Sequence, residues 1–261
     1  MIKLSLVSLE QAWKDKRKNL ELCTKYIQKA SKDKVELIIF PEMTLTSFSF
    51  DDSLLVEKME NSNTVENFSN LARKYNIAIV FGVILKDNER ASNKAIFVDK
   101  NGDVKGVYTK IHPFSLSGEG SYLSAGKELS IVIFKGISIG ITICYDLRFP
   151  EIYSKLATEC DLIINIANWP SKRVDHWNTL LKARAIENQI FMAGVNRVGV
   201  DGKGLRYTES SNIFNANGKK LNFYQFKNMK TYEIDKIWTE NFIKEFNTTN
   251  DRRVKLYKEM F

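Results

Sequence analysis

The chain contains several apolar segments of strand length, with segments of helical periodicity between them. Four of these segments are apolar almost throughout: VELIIF (35–40), IAIVFGVIL (77–85), ISIGITI (137–143) and LIINIA (162–167). A strand that lacks polar alternation is buried on both faces, so other layers must cover both sides of its sheet. Strands that alternate with helices in this way predict an α/β protein.

Two hairpin signals interrupt this alternation. An Asn-Gly pair stands between strand-forming residues at Asn101-Gly102 and again at Asn217-Gly218. Asn-Gly favours a tight turn between antiparallel strands, which a strictly parallel sheet lacks. We therefore expect a pair of mixed sheets covered by helices. Helices are predicted at about residues 11–30, 64–75, 150–159 and 173–189.

No linker divides the sequence. It has only four prolines and shows no Ser/Gly-rich segment, fixed-period repeat or low-complexity region. We expect one domain over residues 1–261, within which residues from about 230 to 261 form an extended C-terminal extension.

The chain is basic, but its charges are dispersed. Its 39 Lys and Arg residues outnumber 31 Asp and Glu residues, for a net charge of +8, and acidic residues are interleaved with the basic ones. A nucleic-acid surface would cluster its cations, so we expect no nucleic-acid partner. A positive surface favours the approach of small anionic substrates.

The cysteines and the hydropathy of the sequence indicate the cellular compartment of the protein. Cys23, Cys144 and Cys160 lack CxxC spacing, so they predict neither a disulfide framework nor a zinc site, and they suit a reducing compartment. The longest apolar segment is about half of what a bilayer-spanning helix needs. The first residues, MIKLSLVSLE, are too short in their apolar part for a signal peptide. We expect a cytoplasmic protein with no membrane partner.

Three side chains that could take part in catalysis follow predicted strands. Glu42 comes after VELIIF, Lys110 after GVYT and Cys144 after ISIGITI. In open α/β sheets, functional groups gather outside the carboxyl ends of the strands. If these strands are neighbours, an acid, an ammonium group and a thiol meet in one pocket.

That trio suits nucleophilic catalysis. Only a thiolate attacks well, and a nearby Lys110 ammonium would lower the pKa of the Cys144 thiol. Glu42 could accept the thiol proton and pass it to a leaving amine, while the N–H of Tyr145 and the Lys110 ammonium could hold an oxyanion. The alternative at each position is structural: a buried core cysteine, a solvated lysine and a loop carboxylate.

Longer motifs surround these residues. The segments FPEMTLTSF, YTKIHPF, ICYDLRFPEIY, ANWP and ARAIENQIFMAGVNRVG resemble the carbon–nitrogen hydrolase (nitrilase) superfamily, with similarity from Ile2 to about Gly218. Within that superfamily, the sequence most resembles the ω-amidases, which hydrolyse the terminal amide of 2-oxoglutaramate and 2-oxosuccinamate.

The resemblance implies a fold and a set of roles. The fold is a four-layer α-β-β-α sandwich, usually a homodimer that pairs across an α face. Cys144 is the implied nucleophile, Glu42 the general base and acid, and Lys110 the stabiliser of the tetrahedral intermediate. Glu119 is implied to orient Lys110 and the hydrolytic water. The implied reaction cleaves a small-molecule amide to an acid and ammonia through a thioester, with no metal or organic cofactor.

Other polar residues are candidates for substrate binding. Arg148 could clamp a substrate carboxylate, or it could form a salt bridge with Asp146 or Glu151. Asn168 and Trp169 follow the strand LIINIA and could line the pocket, although the tryptophan could equally be core. The remaining candidates for the pocket rim are Arg173 and His176, for which a plain surface position is the alternative.

Three alternatives stay open at this stage. The first is a Cys–His hydrolase that pairs Cys144 with His112 or His176. The second is an inactive binding or scaffold protein that keeps the fold. The third keeps the chemistry and changes the substrate: a deaminated-glutathione amidase, an N-carbamoyl amidohydrolase or a nitrilase.

Overall fold

The computed structural model describes residues 1–86 and 90–260. The described strands are β1 (Ile2–Val7), β2 (Leu37–Ile39), β3 (Glu57–Lys58), β4 (Ala78–Lys86), β5 (Ala91–Val98), β6 (Val104–Thr109), β7 (Ser130–Phe134), β8 (Ile137–Ile143), β9 (Leu162–Ala167), β10 (Phe191–Asn196), β11 (Gly199–Val200), β12 (Arg206–Tyr207), β13 (Asn212–Phe214), β14 (Tyr224–Phe226) and β15 (Met229–Ile234).

The α-helices in the same residues are α1 (Lys16–Lys32), α2 (Asn63–Tyr75), α3 (Glu119–Tyr122), α4 (Pro150–Leu156), α5 (Val174–Asn188), α6 (Lys236–Glu245) and α7 (Val254–Met260). None of these helices combines the length and the apolar character needed to cross a membrane.

Most of the strands fall into two mixed sheets. Across the described residues, the larger sheet has the order β14-β15-β1-β2-β4-β5-β6, with β3 beside β4, and the smaller has the order β13-β10-β9-β8-β7. Strands β1, β2 and β4 are mutually parallel, as are β8, β9 and β10. Antiparallel strands flank both parallel groups, as the hairpin signals predicted.

The two sheets face each other and helices cover their outer faces. Along β2, Leu37 and Ile39 point into the core between the sheets, whereas Ile38 points outward against Ile27 of α1. The smaller sheet is covered in the same way by α4 and α5, with Trp177 fully buried there. Because both faces of the central strands are covered, their sequences are apolar throughout. The predicted four-layer sandwich is confirmed.

Helix α2 illustrates how local sequence forms these outer layers. The side chain of Ser62 caps its first turn by accepting the N–H of Val65, and the helix ends at Asn76 in the left-handed conformation. One face carries Phe68, whose ring stacks on Phe81 of β4 at 4.1 Å between centroids. That contact fixes the helix against the larger sheet.

Both hairpin predictions are confirmed, the second as a short one. Strands β5 and β6 pair through a turn at Gly102, which has a φ of +80°. The chain also turns at Gly218, where Phe214 and Lys220 form an antiparallel bridge and Leu221 N–H donates to the carbonyl of Ile213 at 2.9 Å. The Asn215 side chain there accepts backbone N–H groups of the turn, which closes it locally. A further hairpin follows between β14 and β15.

The prediction that the C-terminal extension begins at about residue 230 is wrong for residues 230–234, which belong to the larger sheet. Strand β15 pairs with β1 over six residues, and its Tyr232 and Ile234 lie in the core between the sheets. The residues that follow are largely helical rather than extended, and Trp238 of α6 packs on Phe191 at the start of β10. Phe261 lies outside the described residues.

Candidate active site

Glu42, Lys110 and Cys144 lie at one edge of the sandwich. Strands β2 and β6 run in the same direction, because β4 is parallel to β2 and β5 is antiparallel to both β4 and β6. The three strands are not neighbours: β4 and β5 separate β2 from β6, and β8 belongs to the other sheet. The side chains therefore meet because the two sheets face each other.

Cys144 occupies a sharp turn. It directly follows β8 and begins a 3₁₀ helix over residues 144–148, with a φ of +45° that side-chain-bearing residues rarely adopt. The residue is partly exposed, whereas Cys23 and Cys160 are buried. Its Sγ lies 4.0 Å from the carbonyl oxygen of Asn168. The turn thus presents the thiol at the floor of an open pocket.

Lys110 is held between two carboxylates. Its Nζ donates to Oε1 of Glu42 at 3.0 Å and to Oε2 of Glu119 at 2.8 Å. All three side chains are almost fully buried. Although burial alone would lower the pKa of Lys110, the charges of Glu42 and Glu119 raise it well above its usual value. The lysine is therefore a fixed ammonium, and Glu119 is its second anchor.

Glu42 is held from several sides. Its Oε2 accepts the backbone N–H of Asn168 at 2.9 Å, and its own carbonyl accepts from the Asn168 side chain at 2.7 Å. The Gln11 amide donates to the same carbonyl at 3.1 Å. Gly82 lets the backbone approach closely, since a Cβ at that position would lie 2.8 Å from Glu42 Cα. The carboxylate is thus fixed before any substrate arrives.

Sequence reasoning missed Asn93. Its Nδ2 donates to Oε1 of Glu42 at 2.7 Å and to Oε1 of Glu119 at 3.0 Å. A signal was present, because Ser92, Asn93 and Lys94 are three consecutive polar residues at the start of β5, before its apolar residues. That the side chain of Asn93 points toward Glu42 and Glu119 is evident only once β5 is paired with β6.

The electrostatics of the thiol differ from the expectation. Burial and the negative charge of Glu42 raise the pKa of Cys144 well above its usual value, and Glu119 adds to this. Lys110 lowers the thiol pKa as expected, but its single charge is opposed by two carboxylates. At neutral pH the sulfur therefore keeps its proton, and attack requires a base.

His112 has a different partner from the one that a Cys–His pair would need. Its Nδ1 donates to Oδ1 of Asp146 at 2.8 Å, and its ring stacks on Phe149 at 3.8 Å between centroids. His176 is exposed and lies beside Arg148. In the described parts of the chain, neither histidine is hydrogen-bonded to Cys144.

The thiol opens into a small pocket of about 110 Å³. Tyr145, Asn168 and Trp169 line it, together with the aromatic rings of Phe48 and Phe114. Its lining also includes three cationic side chains and one buried acid: Arg148, Arg173, Lys203 and Asp201. The pocket is therefore apolar at its walls and predominantly positive in charge.

Arg148 is available to a ligand. Its guanidinium carbon lies 4.7 Å from the ring centroid of Trp169 and 5.9 Å from that of Tyr145. Neither predicted salt bridge is present: within residues 1–86 and 90–260 Arg148 forms no ion pair, and the carboxylate of Asp146 accepts from Tyr108 and His112 instead. One guanidinium nitrogen, Nη2, lies 3.4 Å from Nδ1 of His176, and the aromatic rings leave the other N–H donors for another acceptor.

The other substrate-binding candidates divide between the wall and the rim. Trp169 is buried and packs on Trp177, so it serves the core and supports Arg148 through one ring face. Asn168 binds Glu42 through its backbone and side chain. Arg173 lines the pocket over the ring of Phe114, while His176 stays on the surface.

Comparison with known proteins gives this arrangement a context. A carbon–nitrogen hydrolase family model matches residues 3–235. Omega-amidase YafV of Yersinia enterocolitica is 34% identical over 84% of this chain and 83% of its own length. The 2-oxoglutaramate amidase of Bacillus subtilis is 32% identical over 75% of this chain and 76% of its own length.

A solved structure shows the same fold. XC1258 from Xanthomonas campestris, a CN-hydrolase superfamily protein with an arsenic adduct in its active site, matches with a TM-score of 0.90 at 30% identity. The match covers 96% of this chain and 97% of that one. This chain belongs to the carbon–nitrogen hydrolase family and is an enzyme that hydrolyses carbon–nitrogen bonds other than peptide bonds in small-molecule amides.

Proposed function

We propose that the chain is an ω-amidase, which hydrolyses the terminal amide of 2-oxoglutaramate and similar 2-oxo acid amides. One observation carries this proposal: Arg148 lies in the same pocket as the thiol of Cys144, with no ion-pair partner in the described residues. A substrate with a carboxylate at one end and an amide at the other would span the two. Relatives named omega-amidase and 2-oxoglutaramate amidase support the same class of substrate.

The first half of the reaction forms a thioester. Glu42 accepts the proton of Cys144 as the sulfur attacks the amide carbon, and the carbonyl electrons move onto oxygen. The Lys110 ammonium and the N–H of Tyr145 hold that oxyanion. The intermediate then collapses, the carbon–nitrogen bond breaks, and Glu42 returns its proton to the leaving nitrogen, which departs as ammonia.

The second half consumes water. Glu42 takes a proton from a water molecule, whose oxygen attacks the thioester carbon. Collapse of this second intermediate releases the acid, and the departing Cys144 sulfur regains a proton from Glu42. Glu119 keeps Lys110 directed at the reacting carbonyl through both halves, which its 2.8 Å bond to Nζ supports.

Recognition of the far end of the substrate falls to Arg148. A guanidinium offers two parallel N–H donors to a carboxylate, which an ammonium does not. Arg173 and Lys203 add positive charge on other parts of the lining. A small-molecule amide that lacks a carboxylate would place an apolar or neutral group beside these cations and would bind less well.

The test is ammonia release from purified protein with 2-oxoglutaramate, deaminated glutathione, an N-carbamoyl amino acid and a simple nitrile. We expect release with 2-oxoglutaramate at a much higher rate than with the others, and none from the Cys144→Ala variant. Release from another compound would keep the catalytic residues and change the substrate. Release that survives in Cys144→Ala would reject the thioester mechanism.

We also propose that the chain forms a homodimer in the cytoplasm. Ile237, Trp238 and Phe246, in and just after α6, are large apolar side chains that are 41% to 62% exposed. Three unpaired cysteines suit a reducing compartment. Sedimentation analysis should give twice the chain mass, and Trp238→Glu should give a monomer; a monomeric wild type would reject the dimer.

A further inference from the structure

Asn93 stands between the two carboxylates of the site. It lies in β5, one strand away from Lys110, and its carbonyl accepts the N–H of Lys110 at 2.9 Å. Its side-chain nitrogen reaches Oε1 of Glu42 at 2.7 Å and Oε1 of Glu119 at 3.0 Å. One amide group therefore contacts both acids that flank the lysine.

The orientation of this amide follows from its neighbours. Ionised carboxylates only accept hydrogen bonds, so the Asn93 nitrogen, which carries two hydrogens, must face them. With the amide reversed, its oxygen would lie against two carboxylate oxygens and repel both. Asn93 is 1% exposed, so water does not screen that repulsion. The two donors are thus directed at Glu42 and Glu119.

These contacts make the two oxygens of Glu42 unequal. Oε1 accepts from Asn93 at 2.7 Å and from Lys110 at 3.0 Å, which occupies both of its lone pairs. Oε2 accepts one donor in the described residues, the N–H of Asn168 at 2.9 Å. Oε2 therefore keeps one lone pair for an incoming proton.

The open oxygen and the thiol share one neighbouring residue. Asn168 donates its N–H to Oε2 of Glu42, and its carbonyl oxygen is the atom that Cys144 Sγ approaches at 4.0 Å. The backbone of Asn168 thus contacts both the sulfur and Oε2. The saturated oxygen, Oε1, is turned toward Lys110 and Asn93.

We propose that Asn93 is a positioning residue that reserves Oε2 of Glu42 as the proton acceptor. In the first step the proton moves from Cys144 Sγ to Oε2, the sulfur–carbon bond forms, and Asn93 and Lys110 stay on Oε1 throughout. The two donors of the amide thus fix which oxygen of Glu42 is occupied and which is open. This inference deepens the proposed function and rests on it only for the identity of the base.

The test uses iodoacetate, which alkylates Cys144 and carries no amide group. The rate is measured against pH for the wild type, Asn93→Ala and Asn93→Asp, with Cys144→Ala as the background. The titratable groups that face Glu42 in the described residues are Lys110, Glu119 and Cys144. In N93A the acid limb of the profile should move up by about one pH unit, because the carboxylates lose a donor that favours their charged form.

The aspartate variant is isosteric and gives the stronger effect. A third carboxylate against Glu42 and Glu119 would hold a shared proton, so alkylation should slow about 100-fold across neutral pH. If N93A does not fold, Asn93→Ser, which keeps one donor, should shift the profile less in the same direction. Asn165→Ala is the matched control, because this buried asparagine binds Thr142 and Tyr153 away from the site.

The outcomes separate positioning from a structural role. A shifted profile in N93A, with an unshifted one in N165A, supports the proposal. A profile in N93A that keeps its wild-type midpoint overturns it, whether the labelled fraction is full or reduced. Because alkylation needs no amide, failure to hydrolyse 2-oxoglutaramate would reject the proposed substrate and leave this result standing.

Discussion

The carboxylate of Asp146 accepts two hydrogen bonds from His112, one from the backbone N–H at 2.9 Å and one from Nδ1 at 2.8 Å. Asp146 follows Cys144 by two residues, and His112 follows Lys110 by two. The pair therefore ties the turn after β8 to the segment after β6, across the two sheets. Tyr108 adds a third bond from β6 at 2.8 Å.

This relationship predicts a rescue at His112. His112→Ala should lower kcat about tenfold, because Lys110 and Cys144 lose a bond that holds their segments together. His112→Asn places an amide nitrogen near the position of Nδ1 and should restore most of that loss. Steady-state kinetics on both variants is the measurement. If His112 were instead the base of a Cys–His pair, the asparagine would be as inactive as the alanine.

The close approach at Gly82 predicts a sensitive position. In Gly82→Ala the new Cβ would lie 2.4 Å from Met43 N and 2.8 Å from Glu42 Cα, both backbone atoms, so the loop carrying Glu42 must shift. We expect kcat to fall about 100-fold with a smaller change in KM. Gly120→Ala, whose Cβ would meet nothing closer than 3.7 Å, is the control. Wild-type turnover in G82A would contradict a fixed Glu42.

Arg148 should control affinity for the substrate carboxylate. Replacement by Met should raise KM for 2-oxoglutaramate about tenfold or more, because a charged hydrogen-bond partner is lost. Replacement by Lys should give an intermediate value, since the charge remains and the paired donors do not. A small neutral amide serves as the internal control and should show little change in KM. Equal effects on both substrates would mean that Arg148 shapes the pocket rather than binding the carboxylate.

The buried thiols predict a loss of stability in alkali. Burial raises the pKa of Cys160 to about 12 and that of Cys23 well above its usual value. Unfolded thiols ionise at about 8.5, so the unfolded state releases protons first and the free energy of unfolding falls as pH rises from there toward 12. The stabilising effect is complete below that range.

Urea denaturation at about pH 7.5 and about pH 10 measures this effect. Cys160→Ser keeps the size of the side chain and does not ionise in that interval, so its midpoint should change less between the two pH values than that of the wild type. An equal change in both proteins would show that the Cys160 thiol contributes nothing to the pH dependence.

Local sequence was enough to predict the layers and the placement of the reactive groups at strand ends. The strands around Leu37–Ile39, Ile137–Ile143 and Leu162–Ala167 are apolar on both faces, and only a covered sheet buries such segments. The turn at Gly102 follows equally from its own residues. Each of these features depends on contacts within a few residues, or on burial alone.

Contacts between residues that are far apart in the sequence could not be predicted from local sequence. The sequence did not reveal that Asn93 faces Glu42, because that contact joins residues 51 positions apart. Nor did it show that β15 pairs with β1 at the other end of the chain, where no local signal distinguishes a sheet strand from a tail.

The charge state of the Cys144 thiol shows most clearly what the sequence predicts and what only the tertiary structure determines. The sequence placed a lysine and a glutamate near Cys144 and suggested a lowered pKa. The resemblance also implied that Glu119 lies beside Lys110. Only the tertiary structure showed that two buried carboxylates flank one buried lysine beside the sulfur, which reverses the balance and raises the thiol pKa. The sequence determined which groups meet at the strand ends, and three-dimensional packing decided that the thiol keeps its proton until a base accepts it.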